Sequence, residues 1–244
     1  MTWLRLTVPH LYPFERSLKL GPRGLQTAEA WDSLRTAEPS GSFGLGQSRG
    51  DWQSRALANS ELQARALALV GLIRQWGTQS LVSLGVGTGM LEFLLKRNAP
   101  EIKLRCGDFA PATVELLRDR FPECDSIEVM DLAKPVWATT TKEVVLLHRV
   151  DTELADDAWK AVFRDLRARS CERIVLVPAG LLTPRTGARE ARSIVAAVVR
   201  RQALRPSGWL RTPARMRQLF QDSYALSLVF PGGGLPIWAL ERRR

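Results

Sequence analysis

The sequence predicts an α/β fold: a doubly wound sheet of five parallel strands, extended to seven strands by a C-terminal antiparallel hairpin. Between residues 77 and 177, short apolar runs alternate with amphipathic helical segments, which is the pattern of parallel strands joined by crossover helices. The end of the chain differs, because two strand-like runs at 224–230 and 236–241 flank Pro-Gly-Gly-Gly at 231–234. A short glycine-rich turn of this kind typically joins two neighbouring antiparallel strands.

Residues 1–50 precede this alternating region and differ from it in composition. They mix Pro, Trp and charged residues with a helical patch at 26–35, and they end in a loop-like run of small residues at 39–50. We therefore predict an N-terminal extension or lid over 1–50, followed by one main domain over 51–244.

Each element of the main domain has a local signal. A helix is predicted from residue 52 to about 76, with Asp51 as its cap and Gly77 at its end. Pro111 suits the first turn of a helix, and Asp156 places an acid where the helix dipole favours it. The predicted strands are 80–84, 102–106, 126–130, 143–147 and 173–177, and the other predicted helices are 91–97, 111–120, 156–170, 188–202 and 213–222.

Composition limits the class of protein. A chain of 244 residues fits one α/β domain with appendages better than two independent cores. Its hydrophobic fraction of 45% and charged fraction of 25% exclude a disordered, collagen-like or coiled-coil chain. The three cysteines, Cys106, Cys124 and Cys171, form no CxxC or Cys/His motif, so we expect neither a disulfide framework nor a zinc site.

No apolar run approaches the roughly 18 residues that a membrane span needs, and the first residues lack the pattern of a signal peptide. We expect a reducing, cytoplasmic setting and no membrane partner. The net charge is +10, and its excess lies in residues 185–244, which hold 12 basic and three acidic side chains. This segment predicts attraction to phosphate, carboxylate or nucleic acid, and the alternative is a solvated arginine-rich face.

A glycine-rich loop follows the first predicted strand of the sheet. Gly85, Gly87 and Gly89 stand directly between that strand and a helix, where glycine lets the backbone turn sharply and approach an anionic or polar ligand closely. The dinucleotide fingerprint GxGxxG would require glycine at position 90, where this chain has Met90. A nucleotide-like ligand is therefore predicted, with a nicotinamide-dependent dehydrogenase as a less favoured alternative.

The second predicted strand leads into Asp108, which lies 23 residues after Gly85. In a doubly wound sheet this carboxylate lies beside the glycine loop, where it can accept hydrogen bonds from two ribose hydroxyls. The alternative is a glycine turn needed only for packing, together with a surface aspartate.

These segments together resemble the class I S-adenosylmethionine-dependent methyltransferases. LVSLGVGTGMLEFLL is similar to the family's first motif and LRCGDFAPATVELLR to its second. IEVMDL, EVVLLHRV, RIVLVP and the final hairpin resemble the later segments, so the resemblance covers about residues 52–244. It implies a Rossmann-like fold, S-adenosylmethionine as cofactor and methyl transfer as the reaction.

The resemblance also implies roles for individual residues. The glycines Gly85, Gly87 and Gly89 would surround the methionyl part, Asp108 the ribose, Phe109 one face of the adenine, and Asp131 the adenine amino group, with Leu132 packed nearby. The family usually has an acid two residues before the first glycine, and this chain has Ser83 there. A hydroxyl replaces some of the hydrogen bonding of that acid but not its charge, and Ser83 is included among the predicted cofactor contacts.

Methyl transfer needs chiefly proximity and alignment, because the donor carbon is already activated. A base helps when the nucleophile is a hydroxyl or a protonated amine. The loop after the fourth predicted strand offers His148 as a substrate contact or general base, with Asp151 and Glu153 as secondary candidates. Alternatively, His148 bonds only a backbone carbonyl and Asp151 only caps the next helix. No metal is expected.

The N-terminal extension and an insert at 180–210 are the segments predicted to shape a substrate pocket. The candidate contacts in the insert are Arg185, Arg189, Arg192 and Trp209, with Arg200 and Arg201 as further basic residues. Trp52 could likewise stack on a substrate or pack in the core. The favoured function is a methyltransferase acting on a small, anionic molecule, such as a metabolite or natural-product intermediate. An RNA methyltransferase and a noncatalytic S-adenosylmethionine-binding regulatory protein are the alternatives.

Overall fold

The computed structural model describes residues 4–10, 27–37, 39, 41, 43–134, 143–199 and 208–243. In chain order its elements are β1 (Thr7–His10), α1 (Ala28–Ala37), α2 (Arg49–Ala58), α3 (Ser60–Gln75), β2 (Ser80–Leu84), α4 (Met90–Asn98), β3 (Lys103–Asp108), α5 (Pro111–Arg120), β4 (Ser126–Val129), β5 (Val144–His148), α6 (Asp156–Ala168), β6 (Arg173–Val177), α7 (Pro184–Val199), β7 (Gly208–Arg211), α8 (Pro213–Phe220), β8 (Tyr224–Gly232) and β9 (Leu235–Arg242).

The main sheet has seven strands in the order β4-β3-β2-β5-β6-β9-β8. Strands β2 to β6 pair in parallel, whereas β9 runs antiparallel to both β6 and β8. The predicted doubly wound sheet with its C-terminal hairpin is therefore confirmed. Because strand order reverses between β2 and β5, the loops after β2 and β5 diverge at the carboxyl edge of the sheet, which is where ligands bind in this architecture.

Helices cover both faces of the sheet, and each face has its own apolar core. One core includes Trp52 of α2, Leu69 of α3 and Leu94 of α4. The other is built on Trp159 and Phe163 of α6, together with apolar residues of α8. Since successive strand residues face opposite sides, the strands β5 and β6, which are covered on both faces, are apolar over 144–147 and 174–177.

The helix predicted over 52–76 is two helices, α2 and α3, that meet at Asn59. The Asn59 backbone is extended, and its side chain accepts a hydrogen bond of 3.0 Å from the Leu62 backbone N–H. An asparagine in this position ends one helix and caps the next, because its side-chain oxygen replaces a missing backbone acceptor. Apolar periodicity runs through the break and does not reveal it.

The turn of the C-terminal hairpin consists of Gly233 and Gly234, because β8 continues through Pro231 and Gly232 of the Pro-Gly-Gly-Gly segment. Both residues have positive φ, +54° and +80°. A Cβ on Gly233 would lie 1.8 Å from the Glu61 carbonyl oxygen, so the turn approaches α3 at a distance that only glycine permits.

A second, two-stranded sheet pairs β1 with β7 and was not predicted from the sequence. Its antiparallel register sets Pro9 opposite Trp209. Beyond the strands, the Leu6 N–H donates to Thr212 Oγ1 (3.1 Å), and the Thr212 N–H donates to the Leu6 carbonyl (3.0 Å). This sheet joins the predicted N-terminal extension to the predicted insert at 180–210.

Within the described ranges, no helix is long and apolar enough to cross a bilayer. The same ranges contain no cluster of three or more His, Cys, Asp or Glu side chains with the arrangement of a metal site. The end of the helix predicted over 188–202, with Arg200 and Arg201, lies outside the described residues.

Candidate active site at the carboxyl edge of the sheet

The glycine loop forms a tight turn between β2 and α4. Gly85, Gly87 and Gly89 have φ values of +71°, +58° and +65°, all in the left-handed region that favours glycine. A Cβ on Gly85 would lie 2.4 Å from Val150 Cγ1. The buried Trp52 of α2 stabilises the turn, because its indole N–H donates a hydrogen bond of 2.7 Å to the Thr88 carbonyl. Trp52 is therefore a packing residue here.

The side chain of Asp108, at the end of β3, is hydrogen-bonded to the backbone of this loop. Its Oδ2 accepts a hydrogen bond of 2.9 Å from the Gly87 N–H, and its Oδ1 accepts one of 3.1 Å from the Ala110 N–H. The carboxylate is 1% exposed. The structure thus brings together the loop and the acid that the sequence singles out, with backbone dipoles orienting the anion.

Helix α1 of the N-terminal extension covers this carboxylate. Arg35 places Nη1 at 3.4 Å from Asp108 Oδ1 and Nη2 at 3.5 Å from Oδ2, and its guanidinium lies 5.2 Å from the centre of the Trp31 ring. Asp32 fixes the helix in place, because its Oδ1 accepts a hydrogen bond of 3.0 Å from the Thr113 N–H at the start of α5. The ion pair of Arg35 with Asp108 is almost fully buried.

The residues assigned to adenine follow β3 and β4 at the same edge. Phe109 is partly buried and packs against the cluster that Trp31 of α1 forms. Asp131 accepts a hydrogen bond of 2.9 Å from the Ala133 N–H, and Leu132 packs against the core that includes Trp159.

Ser83 has a partner that the sequence did not single out. Its Oγ donates a hydrogen bond of 2.7 Å to Oε1 of Glu92, in the first turn of α4, and both side chains are fully buried. The other carboxylate oxygen, Oε2, has no hydrogen-bond partner in the part of the chain that the structure describes. Burial raises the pKa of Glu92 to about 7, with a further increase from Asp108 and an opposing effect from Ser83.

One sequence signal could have revealed Glu92. It is the acid within Met-Leu-Glu-Phe-Leu-Leu at 90–95, whose other members are all apolar. A carboxylate within an apolar run on a helix that packs against the sheet is either paired or functional.

His148 ends β5 and faces two arginines. Its Nε2 lies 3.3 Å from Nη1 of Arg65, and because a guanidinium can only donate, Nε2 is the acceptor and the ring is neutral. Burial, Arg65 and Arg149 together hold the pKa of His148 well below its usual value of 6.5. Arg65 also donates to the Gly232 carbonyl (3.0 Å), so it connects His148 to the C-terminal hairpin. A low pKa weakens His148 as a general base.

Asp151 and Glu153 occupy different environments in the same loop. Asp151 is 3% exposed, and its Oδ1 accepts a hydrogen bond from the Ala179 N–H after β6. Burial raises its pKa to about 6, opposed by the N–H groups of Ala179 and Gly180. Glu153 is partly exposed and accepts a hydrogen bond of 3.2 Å from the Thr152 hydroxyl. Asp151 therefore links two loops, whereas Glu153 reaches the surface.

The predicted substrate residues lie on the cap formed by α7 and β7. Arg185, Arg189 and Arg192 are exposed on α7. Trp209 of β7 is partly exposed, and its backbone N–H donates to the Thr152 carbonyl at 2.9 Å, beside the loop that follows β5. The structure thus brings Trp209 to the loop of His148, whereas the three arginines are exposed side chains of α7.

Comparison with solved structures identifies the fold, although no family model and no curated protein matches the chain. Human N-acetylserotonin methyltransferase, solved with S-adenosylmethionine, superposes with a TM-score of 0.56 at 16% identity, over 81% of this chain and 57% of that one. Magnesium protoporphyrin IX methyltransferase from Synechocystis, solved with S-adenosylhomocysteine, gives a TM-score of 0.62 at 14% identity, over 88% and 98% of the two chains. Mitomycin 7-O-methyltransferase gives 0.55 at 18%, over 95% and 76%.

These similarities show that the chain has the class I methyltransferase fold. It spans little more than half the length of the human protein, and identities below 20% carry the fold and not the substrate.

Proposed function

We propose that the protein is an S-adenosylmethionine-dependent methyltransferase that acts on a small molecule. The observation that carries this proposal is the bond between the Asp108 carboxylate and the Gly87 amide. It joins, at one point of the sheet edge, the acid and the glycine turn that the family resemblance assigns to the ribose and the methionyl part. The solved neighbours, several of which bind this donor or its product, support the same assignment.

The residues present fit such a donor. A left-handed glycine turn leaves its backbone uncovered by Cβ atoms, and Asp108 offers two carboxylate oxygens at the end of β3. Phe109, Asp131 and Leu132 would contact the adenine. When bound, the donor supplies a methyl group on a positively charged sulfur, so the chain's own contribution is to hold and align the two reactants.

Helix α1 would act as a lid over the donor site. Arg35 contacts the Asp108 oxygens that ribose hydroxyls would use, and its distances of 3.4 and 3.5 Å are long for charge-assisted hydrogen bonds. Replacing these two Arg35 contacts at Asp108 by hydrogen bonds from ribose hydroxyls would therefore cost little free energy. Donor binding would then require α1 to shift or Arg35 to rotate away.

The acceptor would enter between this lid and the cap of β7. His148 is suited to a neutral hydrogen-bonding contact with the acceptor, and Glu153 and Trp209 reach the same loop. Asp151 serves to fix that loop. The exposed arginines of α7, Arg185, Arg189 and Arg192, would attract an anionic substrate. The named substrates of the neighbours, N-acetylserotonin and mitomycin, support a small molecule as acceptor.

Calorimetric titration with S-adenosylhomocysteine tests the donor site. We expect the wild type to bind and Asp108→Asn to bind at least about tenfold more weakly, because the amide replaces one of the two acceptor oxygens by an NH2 donor. Asp119→Asn, which changes an exposed carboxylate of α5, is the matched control and should bind like the wild type. Absence of binding to the wild type would refute the proposal.

The acceptor class is tested with radiolabelled methyl donor. We expect label to enter members of a panel of small anionic hydroxylated and aminated molecules, and not a mixture of transfer and ribosomal RNA. Label in RNA alone would favour the RNA methyltransferase. Donor binding without transfer to either class would favour the noncatalytic alternative.

A further inference from the structure

The family usually has an acid at the position of Ser83, and in this protein the side chain of Glu92 places a carboxylate beside that position. Ser83 lies two residues before Gly85, the first glycine of the turn, and Glu92 lies three residues after Gly89, the last one. The hydrogen bond of 2.7 Å from Ser83 Oγ to Glu92 Oε1 closes the base of the turn. Helix α4 therefore delivers to the end of β2 the acidic group that the strand itself lacks.

This carboxylate is incompletely satisfied. Glu92 is 1% exposed, and its Oε2 finds no donor within the described part of the chain. A buried carboxylate oxygen without a hydrogen bond is costly, so the group needs either a proton or an external cation. A structural role alone would favour complete pairing.

Among the described residues, no cation acts on the Glu92 carboxylate. The groups that act on it are the Ser83 hydroxyl on β2, its own backbone N–H and the Asp108 carboxylate on β3, and it in turn acts on the thiols of Cys106 and Cys124. Each of these is neutral or negative. Arg35, the nearest cation of the lid, is bonded to Asp108.

We infer that Glu92, oriented by Ser83, binds the amino group of the donor's methionyl part. This inference rests on the proposed function. Two buried carboxylates, Asp108 and Glu92, flank the glycine turn, and a donor whose ribose lies at Asp108 carries its ammonium group on the far side of the sulfur. An ammonium ion has three N–H donors and one positive charge, so it can donate to Oε2 and neutralise the Glu92 carboxylate.

Two ligands that differ at this group provide the test. S-adenosylhomocysteine carries the homocysteine chain with its ammonium group, whereas methylthioadenosine keeps the adenosine and the sulfur but has a methyl group in place of that chain. At pH 8 we expect Glu92→Gln to weaken S-adenosylhomocysteine binding by about 10- to 100-fold, the range for loss of a charged hydrogen bond. Its affinity for methylthioadenosine should match that of the wild type.

A second variant, matched to Glu92→Ala, places the carboxylate on β2 in place of α4. Ser83→Asp combined with Glu92→Ala restores an acid at the same place, so it should recover most of the selectivity for S-adenosylhomocysteine that Glu92→Ala alone loses. Thermal unfolding of each variant confirms that it is folded before titration.

Equal loss of both ligands in Glu92→Gln would overturn the inference and indicate a purely structural role. Unchanged S-adenosylhomocysteine binding in that variant would overturn it as well. If the wild type binds neither ligand, the proposed function itself fails and the inference falls with it.

Discussion

Burial of Glu92 couples the stability of the protein to pH. Its pKa is about 7 in the folded protein, against an ordinary value of 4.5. Below pH 4.5 the residue is protonated in both the folded and the unfolded state, so it makes the free energy of unfolding no more dependent on pH. Between pH 4.5 and 7 the unfolded chain loses this proton while the folded protein keeps it, so stability falls as pH rises, and it levels off above pH 7.

Glu92→Gln removes this dependence. We expect the free energy of unfolding of the variant, relative to the wild type, to increase by about 2.5 kcal/mol between pH 5 and pH 8. Urea unfolding of both proteins at pH 5 and pH 8 measures it. Asp151 has a pKa raised to about 6 and contributes a slope of the same sign, but it is common to both proteins and cancels in the difference. Parallel pH profiles would contradict the expectation.

His148 illustrates how a neighbouring residue alters the role that sequence suggests. Histidine at the carboxyl edge of a sheet is a reasonable general base from its intrinsic pKa. Arg65, 83 residues earlier in the chain, donates to its Nε2 and helps to depress that pKa. Nothing near His148 in the sequence indicates this contact.

Among the helices, α1 covers the proposed donor site. Arg35→Ala removes the cation that would compete with the ribose for Asp108. We expect this variant to bind S-adenosylhomocysteine about three- to tenfold more tightly, because the free protein loses a favourable contact that the complex does not use. Isothermal titration calorimetry provides the measurement.

Arg49→Ala is the control for this prediction, since Arg49 forms an exposed ion pair with Glu123 outside the site. Its affinity for the same ligand should equal that of the wild type. Weaker binding by Arg35→Ala would show instead that Arg35 holds the ligand and that α1 is a wall of the pocket.

At the scale of the molecule, Arg211 connects the cap to the main domain. This residue of β7 is 2% exposed, and its Nε donates to Asp156 Oδ1 at 2.6 Å. Its two terminal nitrogens donate to the carbonyls of Asp151 and Leu154. The same arginine therefore holds together β7, the loop after β5 and the start of α6.

Arg211→Ala should cost about 2–4 kcal/mol in the free energy of unfolding, because it leaves the carbonyls of Asp151 and Leu154 without this donor and removes one of the two arginines that pair with Asp156. Chemical denaturation monitored by tryptophan fluorescence tests this expectation. Arg185→Ala, on the exposed face of α7, should change stability by less than about 0.5 kcal/mol. Similar losses in the two variants would mean that the cap does not depend on Arg211.

The basic C-terminal quarter is also divided by the tertiary structure. Arg211 and Arg215 both pair with Asp156, and Arg242 pairs with Glu172. Part of the excess positive charge is therefore used in internal ion pairs, and part remains exposed on α7. The net charge of this segment overstates the field available to an external anion.

The amino-acid sequence was sufficient to predict the alternation of strands and helices, the C-terminal hairpin and the proximity of the glycine turn to Asp108. These features follow from local rules: apolar periodicity, helix-start signals and glycine at turns are written in consecutive residues. The parallel order of the strands then places the glycine turn and Asp108 at one edge.

The side chains that complete the site come together only through long-range packing. The contacts of Arg35 with Asp108, of Arg65 with His148 and of β1 with β7 join residues that are 73, 83 and roughly 200 positions apart. Such contacts depend on how the elements pack, which no local periodicity specifies. Glu92 lies only nine residues from Ser83, yet its proposed role depends on the packing of α4 against β2, which buries the carboxylate beside the hydroxyl.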